Sequence, residues 1–160
     1  MIKLFCDGSV NPQLKIGFGA YFVFEDNSDL EILKKSIKVK MFENTSSTKL
    51  ELEVLLWALK QESDKIQKLE VYTDCQNILS LLHRREKLES NNFKTSTNKT
   101  VKNELLYKEF YSFIDVLEID FIKIKGHKAS KKKDEFDKLF NLVDKASRKA
   151  LRQYLNNEEK

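Results

Sequence analysis

Three apolar stretches open the chain, and their patterns predict three antiparallel strands. Residues 2–9 form the first stretch, and residues 17–24 form a nearly continuous apolar and aromatic run that is typical of a central strand. Residues 32–42 follow, in which apolar positions alternate with lysine and serine as expected of a half-exposed strand. Residues 25–29 are predicted to form the turn between the second and third strands.

Helices and strands then alternate. Helical spacing of apolar residues predicts helices over residues 50–59, 75–82, 104–116 and 134–154. Short apolar runs predict strands over residues 69–74 and 119–125. A strand that leads into a helix is typical of parallel sheets, so the strand at 69–74 is expected to lie parallel to the first strand.

The composition favours one domain without a membrane segment. A chain of 160 residues that is 41% hydrophobic can build a single core, and four glycines with one proline leave no room for a long linker. We therefore predict one domain over residues 1–155 and a frayed tail over 156–160. The N-terminus lacks the apolar run of a signal peptide or membrane span, so we expect a cytoplasmic monomer that has no membrane partner. The net charge of +4 is compatible with a polyanionic partner.

Three carboxylates are expected to converge at one edge of the sheet. Asp7 lies near the end of the first predicted strand, Asp74 ends the strand at 69–74, and parallel strands end at the same edge. Glu51 shares a helical stripe with Leu55 and Ala58, so it faces the sheet. Each residue alone is more typical of a turn or an edge position, and it is their convergence that indicates chemistry.

Six short motifs occur in the order in which type 1 ribonuclease H carries them. They are Asp7-Gly8-Ser9, Gly17-x-Gly19-Ala20, Glu51-Leu52 with Ala58-Leu59, Thr73-Asp74-x-Gln76, Phe93-Lys94-Thr95 with Val101-Lys102-Asn103, and Lys125-Gly126-His127. The chain thus resembles ribonuclease H of type 1 over essentially its whole length. The resemblance implies an α/β fold of the ribonuclease H type, with a five-stranded mixed sheet flanked by helices. It also implies hydrolysis of the RNA strand of an RNA/DNA hybrid with two Mg²⁺ ions, Mn²⁺ being the alternative metal.

The resemblance assigns roles to the acidic residues and to one histidine. Asp7 would bridge both ions, Glu51 and Asp74 would hold one, and a late aspartate would hold the other. Such an acidic set suits the chemistry, because hard divalent cations prefer oxygen ligands and their charge must be offset. His127 would move protons on the leaving-group side, which its near-neutral pKa suits.

Two residues compete for the role of the late aspartate. Asp137 has the family's usual spacing after the histidine, but the bulky Phe136 and Phe140 surround it. Asp144 is followed by small residues and requires a longer loop before the helix. We favour Asp144, because close packing of a helix on the sheet needs small neighbours, and keep Asp137 as the alternative.

Contacts with the hybrid are expected from the first strand, from the loop before Glu51 and from a basic segment near residue 94. The predicted nucleic-acid-binding residues are Gly8, Ser9, Ser46, Ser47, Thr48, Lys49, Gln76, Phe93, Lys94, Thr95 and Lys102. The alternative function is a catalytically weak or silent module that binds hybrid without cutting it. A proofreading exonuclease of the same broad fold is disfavoured, because it would carry Asp-x-Glu in the first strand where position 9 is serine.

Overall fold

A computed structural model describes residues 1–25, 29–124 and 135–158 of the chain. Within these ranges one mixed sheet has the strand order β3-β2-β1-β4-β5. The strands are β1 Ile2–Asn11, β2 Ile16–Phe24, β3 Lys38–Glu43, β4 Lys68–Thr73 and β5 Glu118–Lys123. β2 pairs antiparallel with β1 and with β3, whereas β4 pairs parallel with β1 and with β5. The predicted five-stranded mixed sheet is confirmed.

Helices cover both faces of this sheet, as expected of an α/β fold. They are α1 Leu30–Ser36, α2 Ser47–Glu62, α3 Gln76–Ser90, α4 Glu104–Val116 and α5 Glu135–Glu158. One hydrophobic cluster joins the sheet to α2, α3 and α4, and a second joins it to α1 and α5. None of the helices in the described ranges combines the length and apolar character that crossing a membrane requires.

Alternation along β1 sends its side chains into the two clusters. Leu4 and Cys6 belong to the cluster beneath α2, and Phe5 belongs to the cluster beneath α5. Asp7, which follows Phe5 on the same face, is only 4% exposed. The first strand therefore presents a buried carboxylate on the side that α5 covers.

The predicted third strand is wrong over its first part, because residues Leu30–Ser36 form α1. The Asp29 side chain accepts a hydrogen bond of 2.9 Å from the backbone N–H of Glu31, which caps the helix. Leu33 is the buried residue of α1, so a single apolar contact docks this short helix. β3 begins only at Lys38, and the predicted alternation is wrong there, because Val39 and Met41 are exposed and Phe42 is the buried residue.

Two helices are longer than their apolar patterns predict. α3 continues to Ser90, and the Arg85 guanidinium in its exposed part donates two hydrogen bonds, of 2.6 and 2.8 Å, to the carboxylate of Asp115 in α4. α5 continues to Glu158, whereas a frayed tail was predicted from residue 156. Hydrophobic periodicity does not detect polar contacts between helices, such as those of Arg85.

Candidate active site

Three carboxylates meet where β4 ends and α3 begins, beside the middle of the neighbouring strand β1. One oxygen from each of Asp7, Glu51 and Asp74 lies within 4.8 Å of the other two. Asp7 is buried, Glu51 is half-buried and Asp74 is exposed, so the group leads from the protein interior to solvent. The parallel pairing of β1 with β4 explains why the two aspartates share one edge.

Close packing of α2 on β1 and β2 carries Glu51 to this edge. A Cβ atom added to Gly8 would lie 2.9 Å from Cδ2 of Leu50, and one added to Gly19 would overlap the side chain of Val54. The missing side chains thus let α2 approach the sheet. The backbone N–H of Gly8 also donates to the Asp7 and Glu51 carboxylates. The Leu50 side chain fills the space that the missing side chain of Gly8 leaves.

Asp144 joins the group from α5. Its side chain is 23% exposed, hydrogen-bonds the Asp7 carboxyl and accepts a hydrogen bond of 3.0 Å from Nε of Arg148. The hydroxyl of Ser147 donates to the Asp144 carbonyl and lies 3.1 Å from the hydroxyl of Ser9, which ties α5 to β1 beside the carboxylates. The structure therefore brings Asp144 into contact with the acidic group.

Asp137, the alternative to Asp144, lies elsewhere on the same helix. Seven residues separate the two aspartates, which places them about 10 Å apart along the α5 axis. Asp137 is 5% exposed, and its neighbours Leu139 and Phe140 belong to the core beneath α5. The acidic group found among the described residues contains Asp7, Glu51 and Asp74, and Asp144 is hydrogen-bonded to Asp7.

Burial and mutual repulsion make this group unfavourable in its fully ionised form. Desolvation, followed by the charges of Glu51 and Asp74, raises the pKa of Asp7 well above its ordinary value. Desolvation and then Asp74 likewise raise the pKa of Glu51. A divalent cation would offset these charges, and carboxylate oxygens are the ligands that Mg²⁺ and Mn²⁺ prefer. The donor set therefore fits a hard divalent metal.

We expect the Asp7→Asn substitution to stabilise the metal-free protein. The pKa of Asp7 is higher in the folded than in the unfolded state. The stability that its protonated carboxyl contributes is therefore fully present below about pH 4 and is lost as the pH rises. At neutral pH the variant should gain on the order of 2 kcal/mol in unfolding free energy. Urea unfolding in EDTA at several pH values measures this gain, which should grow from pH 4 toward neutrality. A variant that is less stable than wild type at neutral pH would contradict the expectation.

The predicted hybrid contacts near the acidic group lie at two helix starts. Ser46 caps α2 by accepting a hydrogen bond of 3.3 Å from the N–H of Lys49, and the exposed Ser47 and Thr48 stand between them. The carboxamide oxygen of Gln76, at the start of α3, accepts a hydrogen bond of 2.8 Å from Nζ of Lys123.

The predicted basic contacts form a second area between α3 and α4. Lys94, Thr95 and Lys102 are exposed there. A cavity of about 840 Å³ is lined by residues that include Arg84, Lys87, Asn91, Lys94 and Thr95. Phe93 was expected to face the hybrid, but its ring is 8% exposed and packs in the core, so it anchors the segment instead.

His127 and Lys125 lie outside the described residues. Sequence reasoning missed two residues at the site, namely Ser147 and Arg148. Only Arg148 had a sequence signal, because a cation four residues after an acid on a helix is placed to pair with it. The hydroxyl pair of Ser9 and Ser147 spans 138 residues and could not be predicted from local spacing.

A mixed sheet with an acidic group formed by a residue within β1, a residue just after the parallel strand β4 and a residue of α2 defines an α/β protein with a site suited to divalent cations. A family model described as RNase H matches residues 1–146. The chain therefore belongs to the RNase H family, which confirms the resemblance seen in its motifs.

Individual relatives support membership of the RNase H family. Ribonuclease H of Caldicellulosiruptor saccharolyticus is 32% identical over 127 residues, which cover 76% of this chain and 82% of the relative. Ribonuclease H of Wolbachia pipientis wMel is 31% identical over 141 residues, covering 86% and 91%. A solved structure of a foamy viral protease-reverse transcriptase in complex with dsDNA aligns with a TM-score of 0.65 at 12% identity, over 91% of this chain and 92% of that one. At such low identity that structure supports the fold alone.

Proposed function

We propose that this protein is an endoribonuclease that hydrolyses the RNA strand of RNA/DNA hybrids with the help of two divalent metal ions, Mg²⁺ in the first place. Membership of the RNase H family supports ribonuclease H activity in general. The observation that carries the finer proposal is the approach of three carboxylate oxygens to within 4.8 Å of one another at a sheet edge. Carboxylates placed this close repel one another and do not stabilise the fold, so their approach indicates a function.

The metal ions would be held by Asp7, Glu51, Asp74 and Asp144. Asp7 would take the bridging position, because it is the most buried of the three carboxylates that approach one another and also interacts with Asp144. When bound, such ions stabilise the charge that develops on the phosphoryl oxygens and lower the pKa of a water molecule. Four carboxylates carry more negative charge than a single divalent cation would offset, which would favour binding of two ions.

The protein's own contribution is a rigid frame with one accessible side. Asp7 lies on β1, the middle strand of the sheet, and is only 4% exposed, so the surrounding packing restricts its carboxylate. Asp144 is partly exposed and is held by Arg148, which places a carboxylate where it can orient an attacking water. His127 is proposed to transfer a proton to the leaving oxygen, on the strength of its motif.

The proposed partner is the RNA/DNA hybrid, bound by two surfaces. The start of α2, with the exposed Ser47 and Thr48, offers hydroxyl and backbone N–H donors for phosphate. The segment with Lys94 and Lys102 offers positive charge for the second strand. Discrimination of RNA from DNA would rest on contacts with the 2′-hydroxyl, for which Gln76 beside Asp74 is well placed.

Cleavage of a labelled hybrid tests this proposal. We expect cutting only of the RNA strand, only with Mg²⁺ or Mn²⁺, and not in EDTA. Duplex RNA, duplex DNA and single-stranded RNA of the same sequence serve as controls and should remain intact. Tight binding of hybrid without cutting under either metal would instead identify a binding module. Cutting of duplex DNA at a similar rate would identify another nuclease.

A further inference from the structure

The helix α5 continues well beyond the residues that the proposed chemistry uses. Asp144 reaches the acidic group, and Ser147 fixes the helix to β1, but α5 runs on to Glu158. Every charged side chain in its later half is positive, because residues 145–157 contain lysine and arginine but no aspartate or glutamate. The exposed cations in this half are Lys145, Arg148, Lys149 and Arg152, which we call the α5 basic face.

The charge of this face is largely without carboxylate partners. Arg148 pairs with Asp144, but within the described part of the chain no ion pair is formed by Lys145, Lys149 or Arg152. Other exposed cations do find acids, as Lys108 does with Glu104 on α4. A solvated helix face commonly mixes both signs of charge, so a row of one sign indicates a polyanionic partner.

The direction of α5 connects this face to the catalytic edge. Phe136 stacks on Tyr72 of β4, and Tyr154 contacts Phe18 of β2 with ring centroids 5.7 Å apart. Phe18 is the cross-strand neighbour of Ser9, two residues beyond Asp7. The helix therefore passes the carboxylates and continues to the β1–β2 hairpin, and the α5 basic face begins beside Asp144 and leads away from it.

We propose that the α5 basic face binds the phosphate backbone of the same hybrid beyond the point of cleavage. The proposal rests on the proposed function, since it extends that nucleic-acid site. Residues 145–152 span about 10 Å of helix, which matches about three steps of 3.4 Å along a nucleic-acid strand. Lysine and arginine spaced in this way bind phosphates regardless of base sequence, so they add affinity and leave cleavage preference unchanged.

A triple substitution with two matched variants tests this face. Lys145→Gln, Lys149→Gln and Arg152→Gln together remove its three unpaired charges. A second variant keeps them, with Lys145→Arg, Lys149→Arg and Arg152→Lys. The control variant removes three exposed lysines away from the carboxylate edge, with Lys34→Gln, Lys35→Gln and Lys65→Gln. Each protein is assayed for hybrid binding by fluorescence anisotropy in EDTA and for KM in Mg²⁺, over a series of KCl concentrations.

The charge-removing variant should bind hybrid about tenfold more weakly than wild type, with a matching rise in KM. For this variant, the slope of the logarithm of the binding constant against the logarithm of the salt concentration should be shallower by about 2 to 3 units. This is close to one unit per lost phosphate contact. The charge-keeping variant should restore the wild-type slope, and the control should share it.

An unchanged salt slope in the charge-removing variant would overturn the α5 proposal and leave the proposed function standing, provided that wild type cuts hybrid. An equal loss of binding in the charge-keeping variant would also overturn it, because that loss would come from altered packing. Wild-type protein that neither binds nor cuts hybrid would overturn the proposed function itself.

Discussion

Replacing Asp7 by asparagine should reduce kcat for hybrid cleavage by about a thousandfold or more, since each tenfold loss corresponds to about 1.4 kcal/mol of lost transition-state stabilisation. Asp7 is the centre of the acidic group and interacts with Glu51, Asp74 and Asp144. Asparagine keeps its size but removes one anionic oxygen and the charge, so the proposed bridging position between two cations would be lost. Single-turnover cleavage of a labelled hybrid in Mg²⁺ measures the effect.

The stability of the same variant makes this loss interpretable. Asp7→Asn is expected to stabilise the metal-free protein, so a loss of activity could not be attributed to unfolding. Mg²⁺ should raise the melting temperature of wild type and have little effect on the variant, because ligand binding stabilises only the state that binds it. Glu53→Gln is a matched control on α2, since Glu53 accepts a hydrogen bond from Thr45 rather than joining the acidic group. An Asp7→Asn protein that keeps a tenth of wild-type activity would refute the bridging role.

The central part of the site is predictable from sequence because strand periodicity and direction determine it. Alternation places Asp7 on the face opposite Leu4 and Cys6, and the parallel order of β1 and β4 brings Asp74 to the same edge. Helical spacing correctly turns Glu51 toward the sheet, where its carboxylate meets the other two. These rules involve only repeats of two and 3.6 residues, which the chain satisfies locally.

Features that depend on tertiary contacts were not predictable in the same way. The sequence of α1 resembles a half-exposed strand, and the capping by Asp29 and the docking of Leu33 make it a helix. Phe93 lies in a polar, basic segment that suggests a surface position, yet its ring packs near Tyr111, with centroids 6.5 Å apart. In both cases a distant apolar surface decides the outcome, and hydrophobic pattern does not identify which surface that is.

The late aspartate provides the sharpest test, because two candidates on one helix differ mainly in their surroundings. We expect Asp144→Asn to lower hybrid cleavage by about a hundredfold or more, since it removes a carboxylate that touches Asp7 and faces solvent. Asp137→Asn should retain the larger part of the activity, because Asp137 lies about 10 Å away along α5. Single-turnover rates of both variants in Mg²⁺, compared with wild type, measure the difference.

Fold stability must be separated from catalysis in this comparison. Asp137 is 5% exposed among core residues, so Asp137→Asn could lower stability without altering the site. Rates are therefore taken well below the melting temperature of each variant, and the Mg²⁺-induced rise in melting temperature is recorded beside them. Asp137→Asn should keep that rise, whereas Asp144→Asn should reduce it. If Asp137→Asn instead lost more activity and more of the metal response than Asp144→Asn, the spacing after His127, rather than small neighbours on α5, would identify the fourth carboxylate. That result would also mean that α5 engages its substrate nearer its start.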